Sequence, residues 1–166
     1  MVQTEGMDKV LAEHPFFDGM ETKDRELLAG CARNEVFEAG VYVFREGEAA
    51  DKFYLLRHGT VAVELHAPGH APMVLETLRK GDIFGWSWMV PPYTWTFDVR
   101  AVELCRVISL DAKCLRGKLE KDHSLGYELF KRFVPVMAAR VGAARLQLLD
   151  LYGQPAARAA RGKGKK

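Results

Sequence analysis

The chain has 166 residues, 48% of them hydrophobic and 28% charged, which suits one globular core and excludes a membrane-embedded or wholly disordered protein. The net charge of +2 is uneven: Arg158, Arg161, Lys163, Lys165 and Lys166 are five of the 24 basic residues, leaving 19 against 22 acids elsewhere. The body is therefore near −3, and any attraction to a polyanion would have to come from the tail.

In chain order, residues 7 to 32 predict two short helical pieces, with Asp8 as a candidate cap and a break at His14-Pro15. From Glu35 to Leu110 the apolar period changes to two. Strands are predicted at 41–44, 53–56, 60–65, 73–78, 96–103 and 104–110. Turns at Ala39-Gly40, Gly47-Glu48, His58-Gly59, Pro68-Gly69 and Lys80-Gly81 separate them. The expected fold class is mostly β with flanking helices, an antiparallel β-barrel or jelly roll of about eight strands. A helix is expected after Asp111, and a long one over about 124–152, with a kink at Pro135.

Leu125, Leu129, Phe133, Met137, Val141, Ala144, Leu148 and Leu151 form one stripe along that helix. The stripe either faces the core throughout or, in its C-terminal half, packs on the same helix of a second subunit. The domain is expected over 1–152. The tail 153–166 holds Ala, Gly and cations that bury no apolar area, so it is expected to be disordered.

Cys31, Cys105 and Cys114 are spaced like neither a zinc motif nor a disulfide framework, so a reducing cytoplasm is inferred. The N-terminus carries acids and no signal-length apolar run, and no stretch nears the ~20 apolar residues of a membrane span. A cytosolic protein without membrane contact is the expectation.

The informative stretch is FEAGVYVFREGEAADKFYLLRHGTVAVEL at 37–65, followed by LRKGDIFGWSWM at 78–89. Its Gly40, Glu46-Gly47, Ala50, Phe53-Tyr54, Gly59, Val61, Val63, Gly81-Asp82 and Phe84-Gly85 resemble the cyclic-nucleotide-binding domain family. That family includes the sensor domains of catabolite-activator-type regulators and of cyclic-nucleotide-dependent kinases. The resemblance implies a phosphate-binding cassette after the sixth strand, where backbone N–H groups hold an anion. It also implies a glutamate for the ribose and an arginine for the phosphate.

The chain departs from the family at both charged positions. Phe84-Gly85-Trp86 stands where the family has Phe-Gly-Glu, and the arginine slot falls at Thr94 or Trp95. Arg100 matches a residue outside the phosphate contact. The candidate ligand-binding residues are Phe84, Gly85, Trp86, Ser87, Trp88, Thr94, Trp95 and Thr96. The tryptophans are either core or a remodelled pocket that stacks a planar ligand or closes the site. A cyclic nucleotide is expected to bind weakly at best.

His66 and His70 flank a turn without the further ligands a metal enzyme requires, and no nucleophile or phosphate-loop motif appears. A non-enzymatic regulatory module follows, with no metal assigned. It is expected to form a homodimer through the C-terminal helix and to signal by that helix or by a protein partner. Sequence-specific DNA binding is not expected, because the fourteen residues after Tyr152 are too few for a helix-turn-helix. The alternative is a minimal nucleic-acid-associated transcription regulator acting through its basic tail, with steeply salt-dependent affinity.

Overall fold

The structure is a computed structural model and describes residues 6–152. The chain begins with helix α1 (Met7–Ala12), which buries Met7 and Leu11. Gly6 flanks its start, and Asp8 lies within the first turn without capping it. The break falls at His14-Pro15 as the sequence implies: Pro15 opens a 3₁₀ turn (Pro15–Phe17), and the Phe16 N–H donates to His14 Nδ1 at 3.3 Å. Helix α2 (Thr22–Ala29) follows.

Eight strands come next: β1 (Ala32–Phe37), β2 (Tyr42–Phe44), β3 (Lys52–His58), β4 (Thr60–Leu65), β5 (Met73–Arg79), β6 (Ile83–Phe84), β7 (Asp98–Ala101) and β8 (Cys105–Asp111). They form two antiparallel four-stranded sheets, ordered β1-β8-β3-β6 and β2-β7-β4-β5. The expected jelly roll is present, but no closed barrel is found among the described residues. Register breaks in the β2–β7, β3–β8 and β4–β5 pairs bend the strands, and the sheets meet through packing.

Phe44, Tyr54, Leu56, Val61, Leu78, Phe84, Val99 and Val107, drawn from both sheets, make the shared core. Alternation along β3 turns Tyr54 and Leu56 into this core and Phe53 to the other face, where it meets Phe16 at 5.5 Å. One tight turn needs glycine outright. Gly59 has φ +89°, and a Cβ there would lie 2.4 Å from the Leu104 carbonyl oxygen.

Helix α3 (Ala112–Lys121) is capped by Asp111, whose carboxylate accepts the Cys114 N–H at 2.7 Å. Cys114 is disulfide-bonded to Cys31, 83 residues earlier, with the Cα atoms 5.7 Å apart. This corrects the reading of the cysteines. Motif spacing registers only local frameworks, whereas this pair is assembled by the fold, and the argument from cysteine usage to a reducing compartment falls with it. Cys105 is the free cysteine and is buried.

Helix α4 runs from His123 to Tyr152 through Pro135. The chain divides into two compact units, one ending at Gly126 and one beginning at Tyr127. Within the second unit Glu128 pairs with Arg132 at 2.8 Å and with Lys131 at 3.3 Å. Along the apolar stripe Leu125, Leu129 and Phe133 are buried, Met137 is half-buried, and Val141, Ala144 and Leu148 are exposed. The side chain of Leu151 and the whole basic tail, with its expected disorder, lie outside the described residues. No helix among the described residues is long and apolar enough to cross a membrane.

Candidate ligand site

The site is built from the segment that links β5 to β7. Gly81 and Asp82 clip this segment to β3: Gly81 N–H donates to the Leu56 carbonyl and Leu56 N–H to the Asp82 carbonyl, both at 2.9 Å. β6 then pairs Phe84 with Tyr54 and Ile83 with Leu55. Gly85 is left-handed at φ +78° and ends the strand. A Cβ on it would lie 3.0 Å from the Trp95 indole and 3.1 Å from the Tyr54 ring, so chain direction and space both demand glycine.

A short 3₁₀ helix (Trp86–Met89) follows. The chain then returns through Pro91 and Pro92 to Tyr93, a non-glycine residue at φ +59°. The returning arm is laced to the turn after β2. Ala50 N–H donates to the Tyr93 carbonyl at 2.7 Å, Trp95 N–H to that of Glu48 at 2.9 Å, and Gly47 N–H to that of Trp95 at 2.9 Å. Thr94 sits opposite Ala49 in this ladder.

Phe84, Gly85 and Trp95 come together in one place. The Trp95 indole is 4% exposed and stacks on Phe44 with 3.8 Å between centroids and 13° between planes. Tyr54 lies tilted against Trp95 at 6.4 Å and stacks on Phe84 at 4.9 Å. Burial, reinforced by the carboxylates of Glu35, Asp51 and Glu48, pushes the Tyr54 phenol well above its ordinary value. It therefore stays neutral, and the surroundings of Trp95 are aromatic.

Trp88 is elsewhere. It is buried on the helix-facing side of β3, its ring 6.2 Å from Phe53, so that the sheet separates it from Trp95. Trp86 and Thr94 are half-buried, Ser87 is buried and Thr96 is exposed.

One residue that sequence reasoning missed organises the loop from outside. Arg116 on α3 donates to the Trp88 carbonyl at 2.8 Å and places its guanidinium 4.4 Å from the Tyr93 ring centroid. An arginine 21 residues beyond Trp95 on a different element carries no signal that would have singled it out.

The buried carboxylates of β4 and β7 are already paired. Glu64, 1% exposed, receives Arg100 Nε at 2.9 Å and Nη2 at 2.6 Å on Oε1, and the Tyr42 hydroxyl at 3.1 Å on Oε2. Arg100 is thus held at the sheet surface. Asp98, 5% exposed, accepts the Glu46 N–H at 2.7 Å, and His66 Nδ1 lies 2.5 Å from its other oxygen. Among the described residues no cluster of three or more His, Cys, Asp or Glu side chains is placed to hold a metal ion.

The model of the cyclic nucleotide-binding domain family matches residues 34–122 of this chain. A CRP-like cAMP-activated global transcriptional regulator of Mycobacterium tuberculosis is 27% identical over 145 residues, covering 87% of this chain and 63% of the regulator. A cAMP-dependent protein kinase regulatory subunit of Eremothecium gossypii is 35% identical over 78 residues, 47% of this chain and 16% of that protein. The chain therefore spans less than two thirds of either relative.

Among solved structures, a putative cyclic nucleotide-binding protein of Geobacter metallireducens superposes with a TM-score of 0.73 at 25% identity, covering 85% of this chain and 99% of that one. A cAMP-binding acyltransferase of Mycobacterium smegmatis gives 0.69 at 27% identity, covering 84% of this chain and 42% of the acyltransferase. With eight strands in two sheets, the glycine-hinged segment after β5 and a matched stretch of more than half its length, the chain belongs to the cyclic nucleotide-binding domain family.

Proposed function

We propose that this chain is a non-catalytic regulatory module whose phosphate-binding cassette is degenerate, closed by the indole of Trp95. The observation that carries the reading is Trp95 itself, buried on Phe44 and in contact range of Gly85, at one of the two positions, Thr94 and Trp95, where the family resemblance puts a phosphate-binding arginine. Of the candidate ligand-binding residues, Phe84, Gly85, Trp86, Ser87, Thr94, Trp95 and Thr96 stay in the proposed set with Trp95 as its plug, and Trp88, on the other side of the sheet, leaves it. Relatives named as a transcriptional regulator and a kinase regulatory subunit support a regulatory output, and the acyltransferase shares only 42% of its length with this chain.

A ligand entering beside Gly85 has to move Trp95. Exposing an indole of about 200 Å² at about 25 cal/mol per Å² costs on the order of 5 kcal/mol, more than a thousandfold in affinity. Titration with cyclic AMP and cyclic GMP, read by tryptophan emission and calorimetry, tests this. The wild-type protein should show no micromolar binding. Trp95→Arg, alone and with Trp86→Glu, should bind roughly tenfold or more tighter per restored contact. Micromolar binding by the wild-type protein would refute the degenerate-cassette reading.

The output runs through α4 to a second copy of the chain. Tyr127, Val134, Val141 and Leu148 recur every seven residues, and Phe130, Met137 and Ala144 do so between them, as in a coiled-coil seam. Tyr127, Phe130, Val134, Val141 and Leu148 are exposed. Val141→Glu with Leu148→Glu should yield a monomer in sedimentation, because two carboxylates in an apolar seam are costly to desolvate. An unchanged dimer mass would reject the interface.

A further inference from the structure

We propose that the Cys31–Cys114 disulfide is a reversible redox modification site that sets how tightly α3 holds the Trp86–Tyr93 loop. Its readout does not require the loop to bind a nucleotide, so it stands apart from the reading of Trp95 as a plug.

Two observations on α3 meet here. Cys114, in its first turn, is bonded to Cys31 at the junction of α2 and β1. Arg116, two residues on, grips the loop by the Trp88 carbonyl at 2.8 Å and by the Tyr93 ring at 4.4 Å. The covalent tie and the grip lie within one turn of one helix, so freedom at Cys114 is felt at Arg116. The grip matters because Tyr93 holds a left-handed backbone at φ +59°, which surrounding contacts have to maintain.

Reduction would loosen α3 without releasing it. Asp111 N–H still donates to the Cys31 carbonyl and Ala112 N–H to the Asp51 carbonyl, each at 2.9 Å, and Lys118 Nζ reaches the Leu27 carbonyl. Loss of the bridge therefore leaves the two sheets and the helix start in place. It removes the one covalent constraint on the turn that carries Arg116.

The exchange balances with a dithiol as the reductant. A thiolate of the dithiol attacks Sγ of Cys114, which is half-buried where Cys31 is only 6% exposed. The Cys31–Cys114 bond breaks, Cys31 leaves as a thiolate and takes up a proton, and a mixed disulfide forms at Cys114. The second thiol of the reductant then displaces Cys114, which is protonated in turn. Two electrons and two protons pass to the cysteine pair, and the dithiol ends as its own disulfide.

The test is amide hydrogen exchange on the full chain, oxidised and then reduced with dithiothreitol under native conditions, with thiol counting to follow the bond. Reduction should speed exchange in residues 86–93 by about tenfold or more while β4 and β7 keep their protection. Cys114→Ser should match the reduced protein without reductant. Arg116→Met, with the bridge intact, should show fast loop exchange from the outset and no further response to reduction. The proposal is overturned if the loop is unmoved by reduction, if protection falls equally in β4 and β7, if native protein resists the dithiol, or if Arg116→Met still responds.

Discussion

Replacing Arg100 by methionine tests whether the arginine of β7 belongs to the fold or to a ligand. Glu64 is 1% exposed, and two of its three polar contacts come from Arg100. Without the guanidinium a buried carboxylate keeps only the Tyr42 hydroxyl, and stripping one partner from a buried pair costs about 3–5 kcal/mol. The reverse change is milder. In Glu64→Gln the arginine, with 32% of its side chain exposed, reaches water, and the amide oxygen still accepts, so about 1–2 kcal/mol is expected. Urea unfolding followed by tryptophan emission should rank Arg100→Met well below Glu64→Gln, and the melting temperature of the former should fall by roughly 10 °C. Affinity for cyclic nucleotides should be the same as wild type in Arg100→Met. A reversed ranking, or a cost under about 1 kcal/mol for Arg100→Met, would refute the claim that the guanidinium is committed to Glu64.

Two further expectations come from other parts of the fold. Gly59→Ala should cost at least about 3 kcal/mol in denaturant unfolding, because a positive φ and a backbone oxygen both oppose the methyl group; Gly40→Ala, at φ +85° in open space, should cost only about 1 kcal/mol. Burial holds the His14 imidazole below its ordinary 6.5, against the opposing pull of the Leu56 and Asp82 backbone and the Asp82 carboxylate. The unfolded chain therefore binds the proton first: stability should be full above pH 6.5 and decline as the pH falls from there toward the folded-state value. Unfolding free energies measured between pH 8 and 5 check this, and His14→Gln should flatten the slope.

Much of this architecture is legible in the sequence because it is local. The alternating runs located six strands, and Gly40, Gly59 and Gly81 all take the positive φ that their turns require. β1 begins on Ala32-Arg33-Asn34, which carries no apolar alternation, and β6 is two residues long, so neither leaves a strand signal in the sequence. At the site, the tryptophans could be located but not assigned a side of the sheet. Trp88 and Trp95 are an odd number of residues apart, and the 3₁₀ turn and the reversal at Pro91-Pro92 lie between them. The Cys31–Cys114 pair and the Arg116 grip join elements distant in the chain, and such partners are chosen by tertiary packing alone.

The lacing of residues 93–95 to residues 47–50 decides how the space beside Gly85 can ever be vacated. Three main-chain hydrogen bonds pin the segment on both sides of Trp95, so swinging the loop away would unzip a small ladder together with the indole. The cheaper route leaves the backbone still and rotates the indole about its own side-chain torsions. That rotation waits on Phe44 and Tyr54, which press on the ring, so the gate is a packing fluctuation of the core. Smaller side chains at residue 44 should hasten opening, whereas stiffening the prolines at the loop tip should leave it unchanged.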